Sequence, residues 1–414
     1  MWLRFVLIIG ILGLAEYYSA VLLRSSVKHM APAWKYSFTI IYVLLTIIVW
    51  AGAINIRRLS HANLPHMVIN IYITFVLGFV VGKLLATIIM LVDDIRRLLA
   101  WFYNIITRHG DAANLAAGVS RSEFIKTTAI VLAGLSVLGF SYGIRNRYRY
   151  HVRKLRLQFT ALPAAFRGLK VVQISDIHTG SFDDPAAVAA GIQRVMDQKP
   201  DLILFTGDLV NNVSTEVSET YQAIFSKLRA PLGVYSTLGN HDYGDYVQWD
   251  SASAKHENLQ QLKDIHAKMG WRLMMNEHII LEKGGDKIAL IGIENWSDKA
   301  NFPKYGDMVK ANNGLKEKNI PFNILMSHDP SHWNAQVVPE YPEIQLTLSG
   351  HTHGMQFGVE LPWFKWSPVQ YMYKQWAGLY QDGNQYLYVN RGFGFLGYPG
   401  RLGILPEITV LELV

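Results

Sequence analysis

Five short clusters of Asp, Asn and His residues contain the side chains in this sequence best suited to chemistry. They are Asp176-Ile177-His178, Gly207-Asp208, Gly239-Asn240-His241-Asp242, Ser327-His328-Asp329 and Ser349-Gly350-His351-Thr352-His353-Gly354. Carboxylate, imidazole and amide groups without thiolates suit Mn²⁺, Fe²⁺ or Fe³⁺, or Zn²⁺. The sequence contains no Cys, which excludes thiolate metal sites, cysteine nucleophiles and disulfides.

Together the clusters supply enough ligands for two metal ions. Two divalent ions about 3.5–4 Å apart can hold an attacking hydroxide and a phosphoryl oxygen for in-line displacement. A carboxylate must bridge such ions, because its negative charge offsets their repulsion, and Asp208 is the candidate. Each cluster alone has an ordinary explanation, since D-x-H is more often a turn and G-N-H-D can be a capped loop. The prediction therefore depends on the whole set.

Each cluster follows an apolar run that is predicted to be a β-strand. The predicted strands are 169–175, 202–206, 234–238, 287–293, 322–326, 344–348, 385–390 and 408–414. Helical patterns near 185–198, 216–228 and 256–269 lie among the earlier strands. This order favours a layered α/β domain. In open α/β sheets, ligands bind outside the carboxyl ends of the strands, which is where the five clusters stand.

The ordered series D-x-H, G-D, G-N-H-D, H and G-H-x-H resembles the calcineurin-like metallophosphoesterase superfamily, from residue 169 to the C-terminus. The tail resembles that of membrane-anchored or exported bacterial members. Its matching residues are Asn390-Arg391-Gly392-Phe393-Gly394, Pro399, Arg401 and Pro406-Glu407-Ile408. The resemblance implies a four-layer α/β/β/α sandwich with both metal ions at the strand ends.

The resemblance also implies roles for individual residues. The first metal ion would be held by Asp176, His178, Asp208 and His353. The second would be held by Asp208, Asn240, His328 and His351. His241 would contact the substrate phosphate and assist departure of the leaving group, and the nucleophile would be a hydroxide formed at the metal ions. Asp242 is expected to orient His241 or to cap the following loop.

Three details of the site are left open by the residues alone. Many relatives continue after the last His-Gly with Gly-Gln, whereas this sequence has Met355-Gln356, so the shape of the substrate pocket is expected to differ. Gly392 and Gly394 either let the backbone approach the phosphate or form a plain turn. Arg391 either steadies a phosphate or forms a structural salt bridge.

The composition indicates that part of the chain lies in a membrane. The 414 residues are 50% hydrophobic and 17% charged, whereas soluble domains carry about a quarter charged residues. Four apolar stretches, 5–23, 34–56, 67–92 and 126–144, approach or exceed the roughly 20 residues that span a bilayer. A signal peptide is the alternative for the first stretch, but its apolar part is long and three more stretches follow.

These observations predict three regions. Residues 1–144 form a four-helix transmembrane region, 145–168 a basic juxtamembrane linker, and 169–414 the metallophosphoesterase domain. Residues 94–106 are expected to form a separate interfacial helix. Glu16 and Lys83, inside the apolar stretches, either pair with each other or face water or headgroups separately.

The orientation follows from a segment before the fourth stretch. Positive charges flank both sides of the membrane region, so their count does not decide its orientation. The segment 120–126 resembles a twin-arginine export signal whose second arginine is replaced by serine. We therefore expect a multi-pass protein of the cell membrane with its catalytic domain outside the cytoplasm. The net charge of +7 is modest, so we expect contacts with the lipid bilayer and none with nucleic acid.

The resulting functional hypothesis is an integral-membrane phosphoesterase that hydrolyses a phosphomonoester or phosphodiester with two divalent metal ions. Tethering at the bilayer would suit a lipid-linked or envelope-linked phosphate ester. One alternative is a membrane sensor or transporter with an appended regulatory hydrolase domain, for which only Glu16 and Lys83 qualify as path residues. Another is a non-catalytic binding domain, against which the complete ligand series argues.

Overall fold

Four apolar helices lie in the first of two units, which comprise Met1–Ile144 and Arg145–Val414. The computed structural model describes residues 2–54, 66–107, 123–299 and 302–414. Within these ranges the helices of the first unit are α1 (Trp2–Val27), α2 (Pro32–Ile54), α3 (His66–Thr107) and α4 (Glu123–Gly143). All four are long and apolar enough to cross a membrane, and a helix satisfies its own backbone groups there. The prediction of four spanning helices is confirmed.

The third helix is longer than expected. The sequence predicted a span ending at residue 92 and a separate interfacial helix over 94–106, but α3 continues without a break to Thr107. Asp93 and Asp94 do not interrupt it, because Arg96 and Arg97 lie one turn further on and pair with them at 2.9 Å. The first residues of the segment that resembles an export signal, 120–122, lie outside the described residues.

Glu16 and Lys83 pair within this unit. Lys83 Nζ lies 2.6 Å and 2.7 Å from the two carboxylate oxygens of Glu16. Tyr42 and Trp50 each donate a hydrogen bond to the same carboxylate at 2.9 Å, and Lys83 donates to Thr46 at 3.2 Å. Of the two alternatives for these residues, the structure shows the pair, with Lys83 buried and Glu16 partly buried. Charges inside apolar spans need such partners.

The second unit contains β-strands and short helices. Among the described residues the strands are β1 (His151–Leu157), β2 (Leu169–Ile174), β3 (Leu202–Phe205), β4 (Val234–Ser236), β5 (Arg272–Leu273), β6 (Glu277–Lys283), β7 (Asp286–Gly292), β8 (Asn323–Met326), β9 (Leu346–Ser349), β10 (Val359–Leu361), β11 (Phe364–Trp366), β12 (Gly378–Asp382), β13 (Gln385–Val389) and β14 (Glu407–Leu413). The helices are α5 (Pro185–Met196), α6 (Glu219–Phe225), α7 (Ala252–Lys268), α8 (Met308–Ala311) and α9 (Val338–Glu340).

Two six-stranded sheets form the centre of this unit. Their strand orders are β1-β14-β2-β3-β4-β5 and β12-β13-β9-β8-β7-β6. Strands β2, β3 and β4 are parallel, as are β7, β8 and β9. Parallel neighbours end at the same edge of a sheet, so each sheet presents a row of carboxyl ends.

Alternating side chains of the strands divide the core into layers. In β3, Leu202 packs between the two sheets, whereas Ile203 packs against α5, α6 and α7. In β8, Ile324 packs between the sheets, and Leu325 packs on the far side with Met308 of α8. This period of two is that of a strand with both faces buried. The layers are therefore helix, sheet, sheet and helix, and the predicted four-layer sandwich is confirmed.

The segment 145–168, expected to be a linker, contains a strand of the first sheet. His151–Leu157 forms β1 and pairs with β14 in parallel over its whole length. Lys154 and Arg156 are exposed while Leu157 is buried, so the basic residues lie on the outer side of an edge strand. The expectation of a linker was wrong for this part, and the second unit begins at Arg145.

Candidate metal centre

All five clusters singled out in the sequence leave the carboxyl ends of parallel strands. In the first sheet they follow β2 (Asp176 and His178), β3 (Asp208) and β4 (Asn240 and His241). In the second sheet they follow β8 (His328) and β9 (His351 and His353). The strands that carry them are direct neighbours within each sheet. The structure thus brings side chains separated by up to about 180 residues to one edge of the sandwich.

A first candidate group consists of Asp176, His178 and His353. One potential ligand atom from each lies within 4.8 Å of the others, and all three residues are buried. His353 Nε2 lies 3.3 Å from an Asp176 carboxylate oxygen. Nε2 of His178 and Nε2 of His353 have no hydrogen-bond partner. A buried nitrogen without a partner is costly, and a cation at this position would satisfy both.

A second candidate group consists of Asp208, His328 and His351, whose potential ligand atoms also lie within 4.8 Å of one another. His328 Nε2 lies 3.1 Å from Asp208 Oδ2. Asn240 Oδ1 lies 2.8 Å from His351 Nδ1, which adds an amide oxygen to this group. Carboxylate, imidazole and amide donors fit the divalent ions expected from the sequence.

Asp208 connects the two groups. Its Oδ2 lies 3.5 Å from His178 Nε2 in addition to 3.1 Å from His328 Nε2. A single carboxylate oxygen therefore faces a histidine of each group. This is the position that a carboxylate shared by two cations must occupy.

The buried carboxylates and imidazoles of the centre shift one another's pKa values. Burial by itself would raise the pKa of Asp208, but His328 and His241 lower it well below its usual value. Burial would lower the pKa of His328, but Asp208 and Asp176 raise it to about 10. Burial lowers the pKa of His178 to about 3, so this imidazole is neutral. Asp208 and His178 are thus in the protonation states that metal ligands require, whereas His328 carries a proton that it would have to lose in order to bind a cation.

Five of the candidate ligands adopt left-handed backbone conformations. Their φ angles are 53° for Asp176, 50° for His178, 62° for Asp208, 71° for His351 and 50° for His353. For residues other than glycine this conformation costs about 1–2 kcal/mol each, and it persists only where surrounding structure enforces it. Such strain concentrates at functional sites, and here it turns each side chain into the centre immediately after its strand.

Gly207 shows how closely the loops approach. Its φ is 97°, and a Cβ at this position would lie 2.8 Å from His328 Nδ1. Gly392 has a φ of 85°, and a Cβ there would lie 2.8 Å from His353 Nδ1. Both positions require glycine because loops of different strands meet there. For Gly392, the close approach is to the ligand loop of His353.

Asp242 has a different role from the one expected. It was expected to orient His241 or to cap the following loop. Instead its carboxylate accepts backbone N–H bonds from Asp208, Leu209 and Val210 at 2.8–3.2 Å, and from Gly239 at 2.8 Å. Asp242 therefore holds the loop that carries Asp208 in place.

Tyr373 and Asp329 support His351 from outside the centre. The Tyr373 hydroxyl lies 2.8 Å from His351 Nε2 and donates to Asp329 Oδ2 at 3.1 Å. With Nε2 as the donor, the Nδ1 lone pair of His351 faces the Asn240 amide oxygen at 2.8 Å, and a cation between these two acceptors would satisfy both. Neither role was predicted: Tyr373 lies in none of the five clusters, and Asp329 lies in one from which only His328 was expected to be a ligand.

His241 lies at the half-buried rim of the centre. Its Nδ1 donates to the backbone oxygen of Asn211 at 2.7 Å, which leaves Nε2 as the nitrogen that can exchange a proton. Its backbone N–H donates to Asp208 Oδ1 at 2.9 Å. The ring centroids of His241 and His178 are 4.9 Å apart. The residue is thus fixed beside the first candidate group.

Arg391 and Arg401 build the wall behind the centre. Arg391 pairs with Glu407 and with Glu360, each at 2.5 Å, so the structural salt bridge is the alternative that the structure shows. Arg401 is fully buried and donates to the backbone oxygens of Arg391 at 2.7 Å and His353 at 3.2 Å. Arg401 thereby joins the last loop of the chain to the loop of His353.

Known proteins share both units of this chain. A family model described as calcineurin-like phosphoesterase matches residues 169–355, and one described as the probable transmembrane domain of calcineurin-like phosphoesterases matches residues 3–147. The uncharacterized metallophosphoesterase YkuE of Bacillus subtilis is 31% identical over 307 residues, which are 71% of this chain and 98% of that protein. The chain belongs to the calcineurin-like phosphoesterase family.

Two further relatives have names that state an activity. Phosphodiesterase YaeI of Escherichia coli is 28% identical over 301 residues, 72% of this chain and 100% of that protein. UDP-2,3-diacylglucosamine pyrophosphatase LpxG of Chlamydia trachomatis is 28% identical over 285 residues, 59% of this chain and 84% of that protein. The chain is therefore a membrane protein with a phosphoric ester hydrolase domain, and it carries two candidate clusters of metal ligands.

Proposed function

We propose that this protein hydrolyses a phosphomonoester or phosphodiester with two divalent metal ions, Mn²⁺, Fe²⁺ or Fe³⁺, or Zn²⁺. In this proposal, the first ion is held by Asp176, His178, Asp208 and His353, and the second by Asp208, Asn240, His328 and His351. The observation that carries the proposal is the position of Asp208 Oδ2, 3.5 Å from His178 Nε2 and 3.1 Å from His328 Nε2. Bound ions would polarise the phosphoryl group and supply a nucleophile derived from water near neutral pH.

The chain's own residues perform the proton transfer to the leaving group. His241 donates from Nε2, because Nδ1 is committed to the backbone oxygen of Asn211. Its backbone bond to Asp208 Oδ1 fixes the ring relative to the shared carboxylate. His241 thus acts as the general acid.

The substrate in this proposal is a lipid-linked phosphate ester. Two observations support this class: the four apolar helices keep the hydrolase domain at a bilayer, and one relative is named for a diacylated substrate. We also propose that the domain lies outside the cytoplasm, on the basis of the segment 120–126 before α4.

The function is tested with the purified full-length chain in lipid nanodiscs supplied with Mn²⁺. We expect hydrolysis of a chromogenic aryl phosphate mono- or diester and a metal content that elemental analysis detects. Asp208→Asn removes the negative charge between the two groups, and turnover should fall by more than about a hundredfold. Changing a residue that only hydrogen-bonds to a metal ligand already lowers metal affinity or activity by about 10–100-fold.

Asp197→Asn is the matched control, because it makes the same chemical change at an exposed position at the end of α5. It should retain full activity. Undiminished turnover in Asp208→Asn, with an unchanged melting temperature, would refute the shared carboxylate.

A further inference from the structure

A β-hairpin beside the metal centre exposes an unusual number of large apolar side chains. Strands β10 and β11 are joined by Pro362 and Trp363, and the single helical turn Pro368–Tyr371 follows them. The exposed fractions are 81% for Trp363, 79% for Tyr371, 60% for Met372, 46% for Phe364 and 43% for Leu361. We call these five residues the hairpin surface. Large exposed apolar side chains that are grouped on one segment mark a binding surface.

A positively charged cavity of about 720 Å³ adjoins the hairpin surface. Its lining includes Leu361, Trp363 and Phe364 of the hairpin together with His151, Arg153, Lys365, Arg391 and Glu360. Arg153 and Arg391 both pair with Glu360, at 2.6 Å and 2.5 Å, and with Glu407 behind the lining, at 3.5 Å and 2.5 Å. With Lys365, three cations therefore face two carboxylates here. The excess positive charge suits an anionic phosphate, and the neighbouring apolar side chains suit acyl chains.

The chain itself favours a bilayer as the occupant. His151 and Arg153, which line the cavity, belong to β1, and only residues 144–150 connect β1 to the membrane helix α4. This connection contains Arg145, Arg147 and Arg149. This short covalent connection therefore keeps a lipid surface close to the strand, whereas it brings no protein partner there.

We propose that the hairpin surface inserts into a bilayer that contains anionic phospholipids and that the adjoining cavity receives a lipid headgroup phosphate. Trp363 at the tip reaches the acyl region, and Lys365 and Arg153 contact the headgroups. The four helices anchor the chain, and the hairpin adds a second, independent contact of the hydrolase domain.

The segment that bears the hairpin also leads back to the metal centre. It leaves the centre after His353 and returns with Tyr373, which contacts His351 at 2.8 Å. The backbone oxygen of Trp376 accepts a hydrogen bond from Thr352 at 2.7 Å, which closes the segment next to the ligand loop. If the proposed function holds, this arrangement holds the centre at the surface from which a lipid-linked ester enters.

The test uses the natural absence of cysteine in the full-length chain. Trp363→Cys provides a unique site for an environment-sensitive fluorophore, and the labelled protein is placed in nanodiscs of phosphatidylcholine with phosphatidylglycerol. We expect a blue-shifted emission, quenching by lipids that carry a nitroxide on the acyl chain, and shielding from aqueous iodide. Val309→Cys is the control, because Val309 is 76% exposed on α8 and lies outside the hairpin surface. Its label should be quenched by iodide only.

Each outcome decides the proposal. Equal iodide quenching at positions 363 and 309 would overturn it, and so would iodide shielding at 363 without nitroxide quenching, which indicates a protein occupant. In nanodiscs of pure phosphatidylcholine, the shielding should decrease. Unchanged shielding there would overturn the part of the proposal that concerns the cationic cavity.

A paired activity measurement separates this proposal from the proposed function. The double variant Trp363→Ser with Phe364→Ser removes two large apolar side chains and should lower turnover of a lipid-borne phosphate ester by about tenfold or more. Turnover of a water-soluble aryl phosphate should not change. Equal turnover of the lipid-borne ester by the double variant and the parent would contradict the proposal. Absence of all hydrolysis, with nitroxide quenching preserved, would instead refute the proposed function alone.

Discussion

At the scale of single residues, the centre combines side chains that face inward with backbones held in an unfavourable conformation. Asp176, His178, Asp208, His351 and His353 have positive φ angles. Groups outside the candidate ligand set hold them there. Asp242 binds the backbone of the Asp208 loop, and Tyr373 binds the ring of His351. The geometry of the candidate metal centre therefore depends on residues outside the candidate ligand set.

Tyr373→Phe tests this dependence. The change removes the hydroxyl that contacts His351 Nε2 at 2.8 Å, and Asp329 is then the nearest acceptor at 3.5 Å. Because the ring of His351 loses its orientation, the concentration of Mn²⁺ needed for half-maximal activity should rise by about 10–100-fold. Activity at saturating Mn²⁺ should remain close to that of the parent. A titration of activity against free Mn²⁺ measures both quantities.

The control for this variant is Tyr371→Phe, which removes the same hydroxyl from a residue that is 79% exposed. Its Mn²⁺ dependence should not change. Identical titration curves for Tyr373→Phe and the parent protein would show that Tyr373 does not orient His351.

The sequence predicts that the candidate ligands lie close together, but it does not predict which residues hold them in place. Polar clusters at strand ends are visible in a sequence because a parallel sheet places all such ends at one edge. Tyr373 is 22 positions from His351, in a segment with no periodicity, so only the folded chain reveals their contact. Arg401 belongs to the tail that resembles membrane-anchored or exported relatives, but its hydrogen bonds to the backbone of Arg391 and His353 could not be predicted from that resemblance.

At the scale of elements, buried strands could be predicted and exposed strands could not. Strand β3 is apolar at every position and β8 at every position except Asn323, and their observed bounds lie within two residues of the predicted ones. Strand β1 lies at the edge of its sheet, and its Arg and Lys side chains interrupt the apolar run by which the buried strands were predicted. Strands β10 and β11 contribute little to the core, so their sequences lack the apolar run that indicates a buried strand.

The pair of Glu16 and Lys83 joins α1 to α3. Because the two residues interact, the stability losses caused by changing each of them should not be additive. Lys83→Met leaves a carboxylate without its cation in an apolar span, and Glu16→Gln leaves an ammonium without its carboxylate. Each single change should cost roughly 2.5–3.5 kcal/mol, the cost of a charge at the centre of a spanning helix. The double variant should be less destabilised than the sum of the two single variants.

Thermal unfolding of the full-length protein in nanodiscs measures this effect. Arg97→Met is a control because it also removes a cation of α3, but one whose side chain is about one third exposed. It should shift the melting temperature little. Additive shifts of Glu16→Gln and Lys83→Met would show that the two residues do not stabilise the unit as a pair.

At the scale of the whole molecule, the position of the hydrolase domain determines which substrates it can reach. We propose an extracytoplasmic location, and the chain offers a direct measurement, since it contains no Cys. In intact cells, Val309→Cys should react with a membrane-impermeant thiol reagent, because Val309 is 76% exposed in the second unit. A C-terminal reporter that is active only outside the cytoplasm should give a signal. Labelling that requires cell lysis, with a silent reporter, would reverse the assignment.

The order of strands in the first sheet has a consequence for biosynthesis. Strand β14, formed by Glu407–Leu413, lies between β1 and β2, so until β14 has been synthesised β1 lacks its partner and β2 is paired only with β3. The helices emerge first and enter the bilayer while the hydrolase domain is still unfinished. A polypeptide that is truncated before Glu407 is thus anchored but lacks the strand that joins β1 to β2. We expect such a truncated chain to lack hydrolytic activity, because β2, which precedes Asp176 and His178, has lost its neighbour β14.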